Sequence, residues 1–317
     1  MKQRHPLIRS HFAGNQAPLA KADVVILPVP YEGTVSYGRG TAAAPAAILA
    51  ASSQLEHFDE ELLCRCNQVG IHTLPAMSVA SSPKAMLRHV AKAALPPLSK
   101  GKFLLTLGGE HSISVGVFRA CQEVHGDAFS ILHLDAHTDL RHRYQGNRYS
   151  HACVMRHAYN MHIPFVQVGI RSVSHGEWKF IQKNQLQSRI HWANHIVTEQ
   201  RRCCREWMEG VVASLADKVY VTLDVDCLDP ACMPATGTPE PGGLDYYTLL
   251  QLLRLVGEKK EVIGADITEL APLSDQPAWS YSAARIAQKM VSYFIRPHQT
   301  YRFSGHTDGL CEENKTA

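Results

Sequence analysis

Residues 133–139 read HLDAHTD, so His133, Asp135, His137 and Asp139 recur at every second position. They finish an apolar run, FSILHLDAHTDL, with the composition of a buried strand. Along a strand, residues two apart share a face, so all four would point the same way. Charged side chains are rarely buried without partners. Four ligand-type groups on one face have no ready structural use and point to a metal. Three other apolar runs end similarly. TLGGEHS (106–112) brings His111 past a glycine turn, VTLDVDCLDP (221–230) brings Asp224 and Asp226, and VIGADITEL (262–270) brings Glu269. His111, Asp135, His137, Asp139, Asp224 and Asp226 are four carboxylates and two imidazoles, too many ligands for one tetrahedral zinc site. They suit two divalent ions in octahedral or near-octahedral shells, bridged by carboxylates. Oxygen-rich shells with some imidazole favour manganese over metals that prefer thiolates. Four aspartates balance two divalent charges, so such a buried site is close to neutral.

To act together these residues must be carried to one place. Strand-like apolar runs occur at 22–30, 102–109, 129–135, 165–170, 218–226 and 261–267, with a weaker one at 189–193. Amphipathic helical stretches at 83–95, 247–260 and 280–295 lie between or after them. Strand and helix in alternation predict a parallel sheet with helices on both faces. The runs are continuously apolar, as strands covered on both sides must be. In open parallel sheets ligands bind beyond the carboxyl ends of the strands, where each candidate would lie. Because the candidates span residues 111–269, one site requires one domain over 1–317, with about 1–20 and 304–317 peripheral or mobile.

The bulk numbers exclude other classes. A net charge of +3 from 32 basic and 29 acidic residues is too small to argue for nucleic acid or an acidic membrane. No run approaches the roughly 18 apolar residues of a membrane span, and the N-terminus lacks a signal-peptide pattern. A cytoplasmic protein is expected. The nine cysteines match no zinc spacing and read as reduced thiols.

GGEHS, DAHTD, the DVDCLDP segment continuing as ACMPATGTPEPGGL, and GADITE together resemble the signatures of the ureohydrolases, the arginase–agmatinase family. The similarity runs in order from PVPYEGTVSYGRGTAAAPAAIL (28–49) to the last helix. The resemblance implies a three-layer α/β/α sandwich around an eight-stranded, mostly parallel sheet. It implies two Mn2+ ions, one held by His111, Asp135, Asp139 and Asp224, the other by Asp135, His137, Asp224 and Asp226. His133 and Asp266 are left as structural residues, and Asp229 as a turn residue. Water activated between the ions would attack the guanidinium carbon of a small guanidino substrate. Asp139 would carry its proton, Glu269 would bind the guanidinium, and His151, in NRYSHACVM, would shuttle protons. Relatives often have Gly-Thr after that histidine, where this chain has Ala152-Cys153, a change that bears on substrate fit. Asn147 and Glu240 are expected beside the substrate, Glu240 suiting a cationic amine tail. Agmatine, giving putrescine and urea in polyamine biosynthesis, is the favoured substrate. Aminopropylagmatine, guanidinobutyrate and arginine are alternatives, as is a non-catalytic binding subunit. The resemblance also implies a homo-oligomer, since relatives are usually trimers or hexamers.

Overall fold

Six apolar runs rich in Val, Ile and Leu form the long strands of this protein, in a computed structural model that describes residues 11–200 and 204–295. In chain order the strands are β1 (Val24–Val29), β2 (Phe58–Asp59), β3 (Cys64–Arg65), β4 (Ile71–Thr73), β5 (Phe103–Gly108), β6 (Phe129–Leu134), β7 (Phe165–Ile170), β8 (Ile190–Trp192), β9 (Lys218–Asp224) and β10 (Glu261–Thr268). The helices are α1 (Ala44–Ser52), α2 (Pro83–Ser99), α3 (Ser114–His125), α4 (Val154–Asn160), α5 (His175–Lys183), α6 (Ala193–Gln200), α7 (Cys204–Ala213), α8 (Tyr246–Lys259) and α9 (Ala278–Phe294). Eight strands form one sheet in the order β4-β1-β5-β10-β9-β6-β7-β8, with every pairing parallel. β2 and β3 make a separate antiparallel pair.

Burial explains the unbroken apolar strands. From β1, Val24 and Ile26 pack into one core with α1, α7, α8 and α9. Val25, Leu27 and Val29 pack into a second core with α2, α3 and α4. Successive strand residues face opposite sides, so a strand covered twice needs apolar residues throughout. The result is the expected three-layer α/β/α sandwich. No helix among the described residues is long and apolar enough to cross a membrane.

All seven predicted strands are present, with ends within two residues of expectation. β4 was not predicted, because three residues around a half-buried His72 are too short to show a period. α2 continues through Pro96 and Pro97 to Ser99, past the predicted end at 95. In a last turn a proline forfeits little more than its own backbone bond. The expected periphery at 1–20 is partly core: Phe12 and Ala13 are buried, and Thr73 Oγ1 accepts from Phe12 N–H at 3.0 Å. Residues 1–10 and the tail at 304–317 lie outside the described residues, as does Cys203. Cys64, Cys66, Cys121, Cys153, Cys227 and Cys232 are free thiols.

One correction matters for the site. β6 stops at Leu134 and β9 at Asp224, so of the alternating set only His133 lies within a strand. Asp135, His137 and Asp139 occupy the following loop, and Asp226 a 3-10 turn (Val225–Cys227). A carboxylate between two apolar layers needs hydrogen-bond partners there, as Asp266 has in Tyr220 and Thr222, and the four carboxylates of the cluster lie at or beyond the strand ends. A shared pleat face does not align them.

Candidate metal centre and active site

β5, β10, β9 and β6 are neighbours in the sheet, so the loops leaving their carboxyl ends meet. His111 opens a 3-10 turn after β5. The Gly109 before it is required, since a Cβ there would lie 2.1 Å from Tyr31 O. The His111 Nδ1 atom faces Asp135 Oδ2 at 3.1 Å, Asp139 Oδ2 at 3.3 Å and Asp224 Oδ2 at 3.4 Å. On the other side of Asp135, His137 Nδ1 lies 3.4 Å from Asp135 Oδ1 and 3.0 Å from Asp226 Oδ2. Two groups of possible ligands result, sharing Asp135: His111, His133, Asp135 and Asp139, and Asp135, His137 and Asp226. Asp224 borders the first through His111.

Local bonds aim these side chains. Asp224 Oδ1 accepts from Asp226 N–H at 2.9 Å, which shapes the turn and leaves its Oδ2 toward His111. Asp226 Oδ1 accepts from Ala136 N–H at 3.0 Å, joining the β6 and β9 loops. Asp139 and Glu269 both have positive φ, at 49° and 62°. Such backbone is uncommon outside glycine and collects at functional sites. Glu177 holds Asp139 from both flanks, its Oε1 accepting from Thr138 Oγ1 at 2.7 Å and Leu140 N–H at 3.0 Å.

His111 Nε2 faces Thr222 Oγ1 at 2.9 Å, and that hydroxyl donates to Asp266 Oδ1 at 2.7 Å. With its proton committed, the hydroxyl accepts from His111, which places the imidazole hydrogen on Nε2 and bares Nδ1. His133 has the opposite arrangement. Gln167 Nε2 donates to Thr138 O at 2.8 Å and to His133 Nδ1 at 2.9 Å, so His133 Nε2 carries the hydrogen. That nitrogen lies 2.9 Å from Asp135 Oδ2 without hydrogen-bond geometry. A protonated nitrogen is no ligand, and His133 instead supports Asp135 and stacks on His111, 5.2 Å between ring centres.

These residues fit divalent cations. His111 Nδ1 and Asp135 Oδ2 are buried without hydrogen-bond partners, although such atoms are normally paired. The charge balance agrees. Burial, then Asp226 and Asp135, holds Asp224 well above the ordinary carboxylate range, and burial with Asp135 raises Asp139. Burial would depress His137, but Asp226 and Asp135 override it and push it up to about 12. A site that retains protons on carboxylates and imidazoles is short of positive charge.

A cavity of about 240 Å³ opens over the cluster, lined among others by His137, Asp139, Tyr144, His151, Asp224 and Glu269. Glu269 is buried, its Oε1 accepting from His111 N–H at 2.6 Å, and burial followed by Glu110 raises it well above the ordinary range. Glu240 stands outside the cavity wall, half-exposed, with Oε1 4.0 Å from His137 Nε2. Asn147 does not reach the wall; its Oδ1 accepts from Tyr149 N–H at 2.9 Å within a turn. Spacing gave no sign of Thr34, Glu110, Arg171 or Glu177, which hold the site from other segments. A signal of another kind stood at Glu110, a carboxylate beside His111 at the end of an apolar run.

The fold is a wholly parallel α/β/α sandwich with a carboxylate–imidazole cluster suited to metal ions at its strand ends. A sequence profile of the arginase family matches residues 22–293, and the chain belongs to that family, whose members are hydrolases acting on guanidino compounds. It is 36% identical over 282 residues to the N(1)-aminopropylagmatine ureohydrolase of a Synechocystis species, covering 87% of this chain and 90% of that protein. It is 33% identical over 285 residues to the agmatinase of Pyrococcus horikoshii, covering 87% and 93%. Among solved structures, the agmatine ureohydrolase of Thermoplasma volcanium superposes with a TM-score of 0.80 at 29% identity, covering 92% of this chain and 96% of that one.

Proposed function

We propose that the chain is a dimanganese ureohydrolase of the agmatinase type, hydrolysing the guanidinium of agmatine to putrescine and urea. The observation that carries this reading is the convergence of His111, Asp135, His137, Asp139, Asp224 and Asp226 beneath a cavity that Glu269 also lines. His111, Asp135, Asp139 and Asp224 would hold one ion, and Asp135, His137, Asp224 and Asp226 the other. Two ions there would supply a nucleophile from water at neutral pH, which a charge-delocalised guanidinium requires. The protein's own groups do the rest. Glu269 binds and orients the guanidinium through charge-assisted hydrogen bonds, using the oxygen not engaged by His111 N–H. Asp139, held by its Glu177-bonded neighbours, carries the proton toward the leaving amine. His151 exchanges protons from the cavity wall. Glu240, near the mouth, offers a carboxylate to a cationic tail.

A second reading, aminopropylagmatine as substrate, is supported by the relative at 36% identity that bears that name and by the exposed position of Glu240, within reach of a longer cation. Urea release by manganese-reconstituted protein should be compared for agmatine, aminopropylagmatine, guanidinobutyrate and arginine. Agmatine should lead. Preference for aminopropylagmatine selects the second reading, and no urea from any of them removes both.

A further inference from the structure

Outside the metal cluster, three segments join in a chain that ends on His151. Glu110 is buried, and its carboxylate accepts four hydrogen bonds. Gly33 N–H (2.7 Å) and Thr34 N–H (2.5 Å) reach Oε2, while Thr34 Oγ1 (2.7 Å) and Ser112 Oγ (2.5 Å) reach Oε1. A hydroxyl has a single proton, and Thr34 commits its own to this carboxylate. The remaining lone pairs of Thr34 Oγ1 face His151 twice, at its backbone N–H (3.0 Å) and its ring Nδ1 (3.3 Å). An oxygen whose proton is committed can only accept. His151 Nδ1 can bond to it only by carrying the hydrogen, which leaves the lone pair on Nε2 of a ring that lines the cavity.

We propose that Thr34, fastened by Glu110, is a positioning residue that holds His151 as the Nδ1–H tautomer, so that only Nε2 exchanges protons with the reacting molecule. This rests on the reading of His151 as proton carrier. In that role Nε2 takes up the proton released by the attacking water, the imidazolium keeps its Nδ1–H on Thr34, and the Nε2 proton passes to the freed amine after Asp139 has protonated the leaving nitrogen, so that the product departs as an ammonium. His151 returns to the tautomer it started from, with nothing to reset between turnovers. Ser150 Oγ is the competing group. It lies 3.4 Å from the same Nδ1 while accepting from Ala152 N–H at 3.3 Å, and it could present a proton there only if Nδ1 were bare.

The test is Thr34→Val, which removes the hydroxyl at nearly constant volume, with Thr34→Ser, Ser150→Ala and His151→Asn beside it. In the manganese-loaded enzyme Thr34→Val should lower kcat on the order of tenfold, with KM and metal content little changed. Thr34→Ser should restore kcat and Ser150→Ala should leave it intact. The double variant Thr34→Val/His151→Asn should be no slower than His151→Asn alone, because Thr34 acts through that ring. A wild-type kcat in Thr34→Val, or full additivity in the double variant, overturns the proposal. So does Thr34→Ser failing as badly as Thr34→Val. A readout free of turnover is the 15N spectrum of histidine-labelled full-length protein loaded with diamagnetic Zn2+, the His151 signal being assigned by its loss in His151→Asn. Wild type should show Nδ1–H, and Thr34→Val a shift toward Nε2–H. Nε2–H in the wild type overturns the proposal whatever the activity. An Nδ1–H signal in a protein that hydrolyses no guanidino compound would instead remove the function reading while the tautomer assignment stands.

Discussion

Arg171, the residue after β7, has its guanidinium among six backbone carbonyl oxygens. Nη2 donates to Glu240 O at 2.6 Å, Asp226 O at 2.7 Å and Leu228 O at 3.2 Å. Nη1 donates to Gly169 O at 3.0 Å and Cys227 O at 3.4 Å, and Nε to Glu240 O at 3.0 Å and Pro241 O at 3.1 Å. One side chain thus ties the end of β7 to the turn bearing Asp226 and to the segment bearing Glu240. Hydrogen bonds from a charged donor contribute about 1.5–3 kcal/mol each. Three of the carbonyls, those of Gly169, Asp226 and Glu240, are met at 3.0 Å or less. Taking the low end for each, because water can enter at the rim, Arg171→Met should cost about 4.5 kcal/mol. Arg171→Lys should recover less than half of that, since a single ammonium cannot span the fork. Urea unfolding of the metal-loaded protein measures the loss, and retained manganese after gel filtration reports whether Asp226 has moved. If both variants unfold at the wild-type urea concentration and keep their metal, the fastening role assigned to Arg171 is refuted.

Asp226→Asn should weaken manganese retention by at least about tenfold and reduce urea release with it, and intact activity at wild-type metal content would contradict the ligand assignment. Manganese binding should weaken as pH falls, because Asp224 and Asp139 are held above the ordinary carboxylate range in the metal-free site and the cation must displace their protons. Calorimetry in buffers of different ionisation enthalpy should show proton release, and none would refute that balance. Lys289 is buried on α9 with Nζ 3.0 Å from buried Asp59 Oδ1, so Lys289→Met leaves a carboxylate with its backbone donors from Glu61 and Leu62 but without its cation. It should cost about 3–5 kcal/mol of stability by urea unfolding, with no change in substrate KM.

Much of the sheet was legible because its strands are covered on both faces, and that burial writes itself as unbroken Val, Ile and Leu. β4 was not legible, because its pairing with β1 joins short segments far apart in sequence and leaves no local period. α2 outran its prolines because context in a final helical turn outweighs a local preference.

The sequence by itself determined the chemistry of the candidate site: ligand types, their number and the charge they would balance are properties of side chains, present in any conformation. It also placed them after apolar runs, because a carboxylate between two hydrophobic layers needs dedicated partners, as Asp266 inside β10 has in Tyr220 and Thr222. It misjudged how they align, since Asp135, His137 and Asp139 turn together in a loop through a positive φ at Asp139 and not along a pleat. Only the tertiary structure decided which histidine nitrogens are bare. Those depend on Thr222 beside His111, Gln167 beside His133 and Thr34 beside His151, partners 111, 34 and 117 residues away. A tautomer is set by what stands across a hydrogen bond, and spacing along a chain carries no record of that.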